Sequence, residues 1–235
     1  MTEKSCDIGT QVRRIREHMT EEALRWGRDP SKIALMAVTK NNSAERVNES
    51  LAAGIMLLGE NRAQELLAKY DDYHLTQGCQ VHFIGHLQTN KVRHIIDKVD
   101  LVQSLDRMSL ALELNQYATA QGRVLPVLVE VNVAGELSKS GIKSAEIETF
   151  VRKIAVLSHL SVRGLMTVPP AGVSERETEG YFDTIHRHFI DIITKNIDNV
   201  SMELLSMGMS YDYPLAIKHG SNIIRIGRGI FGERL

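Results

Sequence analysis

Residues 33–60 read IALMAVTKNNSAERVNESLAAGIMLLGE, two apolar runs joined by an amphipathic one. The stretch opens with an apolar run over 33–40 that ends in Lys40. It then crosses the polar Asn41, Asn42 and Ser43, continues as an amphipathic helical pattern over 43–53, and closes on a second apolar run over 55–60. Near-continuous apolar strands separated by helices mark a parallel sheet covered on both faces. The same unit recurs along the chain. Further strands are predicted over 81–87, 101–106, 127–133, 162–168, 203–208 and 223–227, with helices over 61–70, 88–98, 109–120, 144–158, 175–195 and 211–219. Eight strands in this rhythm predict a closed (β/α)8 TIM-type barrel, a fold of typically about 250 residues, which would use residues 1–235 as a single domain. An extra helix over about 8–27 precedes the first strand, with Val12, Ile15 and Met19 at helical spacing, and Ser109 is predicted to cap the helix at 109–120. A doubly wound open sheet is the alternative, but no GxGxxG turn follows the first strand.

Composition narrows the function classes. A hydrophobic share of 43% and a charged share of 24% are ordinary for a globular protein, and a formal net charge of −1 gives no overall attraction to nucleic acid or an anionic membrane. The polar start MTEKSCDIGTQVRR lacks the apolar core of a secretory signal, and no run approaches the roughly 18 apolar residues of a membrane span. Cys6 and Cys79 have neither CxxC nor metal spacing. These features predict a cytoplasmic protein. Lys91, Arg93, His94 and Lys98, with Asp97 among them, read as one solvated helix face.

In a β/α barrel the C-terminal strand ends form the rim where sites lie. Here that rim would carry Lys40, Asn61, His86, Asp106, Asn132, Thr167, Ser206 and Arg225. Ser206 to Ser210 (SMGMS) places a glycine between two hydroxyls where a strand passes into a helix, and Arg225 to Gly229 (RIGRG) adds two more glycines. Glycine lets backbone N–H groups approach an anion closely, and the last two loops of such barrels frequently hold phosphate. The other reading is of two ordinary glycine turns. A strand-one lysine facing a phosphate cradle suggests a phosphorylated carbonyl ligand held as a Schiff base, and pyridoxal 5′-phosphate fits both halves. Lysine attacks a carbonyl only when neutral, and burial beside Arg225 would favour that form.

The segments AVTK, GEN, HFIGHLQTNK, SKSGI, RGLMT, LSMGMSYD and IIRIGRGIFG, in this order and spacing, resemble the pyridoxal phosphate homeostasis protein family. That family is similar to the barrel domain of alanine racemase, a fold-type III pyridoxal phosphate enzyme. The resemblance covers about residue 10 to the C-terminus. It implies that Lys40 forms the Schiff base, and that Ser210, Gly227 and Arg228 hold the phosphate, the last two through backbone N–H groups. It also implies that Arg225 faces the pyridine nitrogen, that Asn61 sits near the ring, and that Met166, Ser206 and Gly208 line the pocket. Where many relatives carry a second lysine two positions after the Schiff-base lysine, this chain has Asn42. Pro214 stands early in the helix after SMGMS, where the first turn tolerates it.

The implied role is a carrier or buffer of the cofactor in vitamin B6 and amino-acid homeostasis, with recipient apoenzymes as partners. A weak amino-acid racemase is the enzyme alternative. Racemisation needs an acid/base group on each face of the substrate; in alanine racemase the second is a tyrosine from a β-rich domain of the partner subunit, to which nothing in these 235 residues corresponds. A monomer is therefore expected. Tyr211 and Tyr213 are the local substitutes to consider, and Lys139 in the SKSGI loop is within sequence reach of the mouth. A metal enzyme is a third reading, from His82 with His86 and from His186 with His188. Strand positions four apart lie about 13 Å from each other, too far to share a metal, so His82 is expected to be packed or hydrogen-bonded. A non-catalytic interaction module that takes up no pyridoxal phosphate is the last alternative.

Overall fold

The computed structural model describes residues 7–136 and 139–232; Cys6, and Ser138 of the SKSGI loop, lie outside them. Among the described residues nine parallel strands form one sheet: β1 (Ala34–Val38), β2 (Leu57–Glu60), β3 (Gln80–Phe83), β4 (Leu101–Leu105), β5 (Leu125–Asn132), β6 (Ile142–Lys143), β7 (Leu160–Thr167), β8 (Val200–Ser206) and β9 (Ile223–Ile226). Eight of them close a ring. β1 pairs with both β2 and β9, and β4 pairs with β5, which also pairs with β7. The two-residue β6 is a side branch on the end of β5. This is the predicted barrel, and each of the eight predicted strands is present with ends shifted by a few residues.

Alternation along each strand divides the apolar residues into two layers. Leu35 and Ala37, Val127 and Val129, and Ile224 and Ile226 face the surrounding helices in the main core. Met36, Leu57 and Ile223 fill the barrel interior at one level, and Leu101, Leu128 and Met166 at another, with Leu204 packed against both. The helices are α1 (Ile8–Arg25), α2 (Ala44–Ala52), α3 (Ala63–Lys69), α4 (Val92–Ile95), α5 (Met108–Ala120), α6 (Ile147–Ala155), α7 (Glu175–Thr194), α8 (Tyr213–Lys218) and α9 (Arg228–Phe231). The extra helix α1 packs against α2, α8 and α9. No helix among the described residues is long and apolar enough to cross a membrane.

Several boundaries differ from the sequence reading for local reasons. The third strand ends at Phe83 instead of 87, because a Cβ on Gly85 would lie 2.1 Å from the Asn61 carbonyl oxygen: the chain turns there against the neighbouring loop. The helix predicted over 88–98 resolves into a 3-10 turn at Thr89–Lys91 and the short α4. Ser109 is not a cap; α5 begins at Met108 behind Arg107, with no side chain closing its first turn. The cap signal is used instead at Ser174, whose hydroxyl accepts from the N–H of Glu177 while the Glu177 carboxylate accepts from the Ser174 backbone, a reciprocal capping box. Pro214 sits in the first turn of α8, as expected.

Candidate functional site at the barrel mouth

Because every strand is parallel, the C-terminal ends share one rim. Lys40 follows β1, Asn61 follows β2, Met166 is the penultimate residue of β7, and Ser206 ends β8. Gly208 and Ser210 lie in the next loop, Arg225 is in β9, and Gly227 and Arg228 open α9. The structure thus brings all nine predicted site residues to the same end of the barrel.

Arg225 is the most constrained of them. It points inward, level with Met36, and is only 3% exposed. Its Nη1 donates to Ser206 Oγ at 2.6 Å and its Nη2 to the Thr167 carbonyl at 2.7 Å, while its backbone N–H donates to the Gly208 carbonyl at 3.0 Å. Burial lowers its pKa to about 10, with Asp212 and Glu130 opposing the shift. It therefore stays charged at neutral pH. Gly208 adopts φ +93°, and a Cβ there would lie 2.5 Å from the Ala216 Cβ, so the turn into α8 requires glycine. In the same loop the Asp212 carboxylate accepts from the Met209 N–H at 2.5 Å, and Ser210 Oγ receives a long contact from the Gly229 N–H at 3.4 Å. Ser221 locks this corner from behind by donating within reach of the Leu205, Met207 and Ile223 carbonyls.

Lys40 sits in a turn where Asn42 N–H donates to the Thr39 carbonyl at 3.1 Å, the Asn42 side chain donates to the Lys40 carbonyl at 3.1 Å, and Asn41 takes φ 59°. Asn61 Oδ1 is buried and has no hydrogen-bond partner among the described residues. Glu130 lines the interior beside Met166 in register; burial pushes its carboxyl up to about 7, helped by Asp106 and opposed by Arg225 and Arg107.

The other rim residues hold the loops. Asn132 Nδ2 donates to the Glu136 carbonyl at 2.8 Å, Asp106 pairs with Arg107 at 2.6 Å, and Thr167 Oγ1 donates to the Val131 carbonyl at 2.8 Å. Lys139 pairs with Glu136 at 2.6 Å and donates to the Pro169 carbonyl at 3.3 Å. Tyr213 is committed elsewhere: it is buried, its hydroxyl is 2.5 Å from His18 Nδ1 on α1, and the rings meet edge to face. Tyr211 is 76% exposed beneath the Arg228 guanidinium, 5.0 Å from the ring centre. His82 is buried inside the barrel and hydrogen-bonded, as expected. His86 lies outside near Asp106 and Ser140, and no three metal-ligating side chains gather among the described residues. The sequence reading passed over Gln103, Glu130 and Asp212. Polar side chains inside the predicted strand runs LVQSLD and VLVEVNV were visible signals for Gln103 and Glu130; Asp212 offered none.

The alanine racemase N-terminal domain family model matches residues 13–235. The pyridoxal phosphate homeostasis protein of Aquifex aeolicus (strain VF5) is 37% identical over 224 residues, covering 95% of this chain and 97% of the relative. The protein of the same name from Escherichia coli (strain K12) is 35% identical over 231 residues, covering 97% of each chain. Among solved structures, PipY of Synechococcus elongatus PCC7942 with pyridoxal phosphate bound superposes with a TM-score of 0.79 at 31% identity, covering 91% of this chain and 100% of PipY. The chain belongs to the alanine racemase N-terminal domain family and, within it, to the pyridoxal phosphate homeostasis proteins.

Proposed function

We propose that this chain binds pyridoxal 5′-phosphate at the barrel mouth as a single cytoplasmic domain, a monomer, and serves vitamin B6 and amino-acid homeostasis by holding the cofactor and releasing it to apoenzymes. The observation that carries the reading is Arg225, a buried guanidinium fixed at the strand ends between Ser206 and Thr167. The residues fit the group. The Asn61 Oδ1, buried and without a partner among the described residues, is an acceptor suited to a polar ring substituent, and the Ser210 hydroxyl beside the first turn of α9 suits a phosphate. Lys40 holds the cofactor through a Schiff base to its Nζ. Ser210 and the N–H groups of Gly227 and Arg228 bind the phosphate, Asn61 lies beside the ring, and Met166, Ser206 and Gly208 shape the pocket. Arg225 donates to the ring nitrogen.

When bound, the pyridine ring supplies an electron sink for carbanions, strongest when its nitrogen is protonated. Arg225 only donates hydrogen bonds, so it keeps that nitrogen unprotonated. Tyr213 is held by His18 and Tyr211 lies out in solvent, so neither is set as an acid/base partner to Lys40. Both features support holding over turnover. Titration of the protein with pyridoxal phosphate is expected to give a visible absorption band that borohydride bleaches, and Lys40→Ala is expected to lack it. A folded protein without the band would refute the cofactor assignment. Lys40-dependent solvent-deuterium incorporation at Cα of L-alanine would favour the racemase reading instead.

A further inference from the structure

The barrel interior carries a polar thread through its apolar filling. From the mouth, Arg225 Nη1 donates to Ser206 Oγ at 2.6 Å, and Ser206 Oγ donates to Gln103 Oε1 at 2.6 Å. Gln103 Nε2 lies 3.0 Å from His82 Nδ1, and His82 Nε2 lies 3.2 Å from Gln80 Oε1. Arg225, Ser206, Gln103 and His82 are 3%, 0%, 0% and 2% exposed, and they come from β9, β8, β4 and β3. Gln80 begins β3 at the opposite end of the barrel and reaches solvent there, beside a cavity of about 400 Å³ that His82 also lines.

The Gln103 amide, with Oε1 against Ser206 and Nε2 against His82, fixes the direction of the inner bonds, and Arg225 fixes the outermost. A guanidinium has five donors and no acceptor, so Ser206 Oγ must accept from it. The serine hydrogen then goes to Gln103 Oε1. The Gln103 amide nitrogen, facing His82, requires a bare Nδ1, so the single imidazole proton stands on Nε2 and is donated to Gln80 Oε1. The thread therefore has one proton arrangement, with every hydrogen bond along it made. Burial, which lowers the His82 pKa to about 3, agrees with a neutral ring.

We propose that Gln103 and His82 are positioning residues for Arg225, acting through Ser206 to hold the guanidinium toward the ring nitrogen of the bound cofactor. Two of the five N–H groups are engaged by Ser206 and the Thr167 carbonyl, and the rigid placement of these two sets the direction of the rest. The inference rests on the reading of the mouth as the cofactor site.

The experiment compares two probes, pyridoxal 5′-phosphate and its analogue with the ring nitrogen replaced by C–H. Wild-type protein is expected to prefer the first by about ten-fold, the worth of one hydrogen bond to a charged group. Gln103→Leu is expected to abolish the preference while leaving affinity for the analogue within about two-fold. A preference that survives in Gln103→Leu, an equal loss for both probes, or a wild type that does not discriminate would overturn the proposal. A wild type that binds neither probe refutes the site reading, and the thread is then decided by 15N NMR of His82 in the cofactor-free wild type. An Nε2–H tautomer supports it, and an Nδ1–H tautomer overturns it.

Discussion

The Tyr73 hydroxyl donates to Glu60 Oε1 at 2.5 Å in a fully buried pocket behind the turn that carries Lys40. Thr39 Oγ1 donates to the same oxygen at 2.5 Å, and Lys69 Nζ lies 3.6 Å from it. Lys69 also donates to the Thr39 and Asn42 carbonyls at 3.2 and 3.3 Å, so one cation ties both sides of the turn to the buried carboxylate. The Tyr73 phenol is held protonated, its pKa raised by burial and by Glu60. Removing one hydrogen bond to a buried charge costs about 1.5–3 kcal/mol, and removing one partner of a buried ion pair costs about 3 kcal/mol or more. Tyr73→Phe is expected to fall in the first range and Lys69→Met near the second, measured by urea unfolding. Lys69→Met should also weaken cofactor binding, because the Lys40 turn loses its clamp.

Glu130 makes stability fall as pH rises. Its carboxyl titrates near 7 in the folded protein, against an ordinary value of 4.5. Between those values the native state keeps a proton that the unfolded chain has released, so each pH unit costs up to about 1.4 kcal/mol. Glu130→Gln is expected to be more stable than wild type above pH 7, by about 3 kcal/mol at most, with the advantage vanishing toward pH 4. An advantage that does not change with pH would contradict this.

His82 acts in the opposite sense. Its pKa is about 3 in the folded protein, lowered by burial from 6.5. Over that interval the unfolded chain binds a proton that the native state refuses, so stability is intact above pH 6.5 and is lost as pH falls. His82→Gln is expected to lose less stability than wild type between pH 6.5 and pH 4, whatever its absolute stability. In wild type the two slopes oppose each other from pH 4.5 to 6.5, and the single variants separate them.

Gly85→Ala tests how the third strand end supports Asn61. The added methyl would meet the Asn61 backbone at 2.1 Å and must push that loop aside. Cofactor affinity is expected to fall about ten-fold or more, against a modest change in unfolding midpoint. An unchanged affinity would remove Asn61 from the site.

The barrel was legible because parallel strands buried on both faces stay apolar residue after residue, and eight such runs leave few other folds. Strand ends were less legible where apolar residues continue past the ladder, as Ile84 and Leu87 do beyond Phe83. Two elements, β6 at Ile142–Lys143 and α9 at Arg228–Phe231, are too short for any periodicity to show. Rim residues could be read off strand ends. The interior thread could not, since His82, Gln103, Ser206 and Arg225 are scattered over four strands and meet only when the barrel closes. Tyr213 shows the converse: two residues from Tyr211, it is turned by α8 toward His18 instead of the mouth.

The site of covalent attachment decides whether Lys40 holds the cofactor. Protein loaded with pyridoxal phosphate is reduced with borohydride, digested and mapped by mass spectrometry. A stoichiometric phosphopyridoxyl group is expected on Lys40, absent from Lys40→Ala. Attachment chiefly at another lysine, Lys69 or Lys139 for example, or the same labelling in Lys40→Ala, would contradict it.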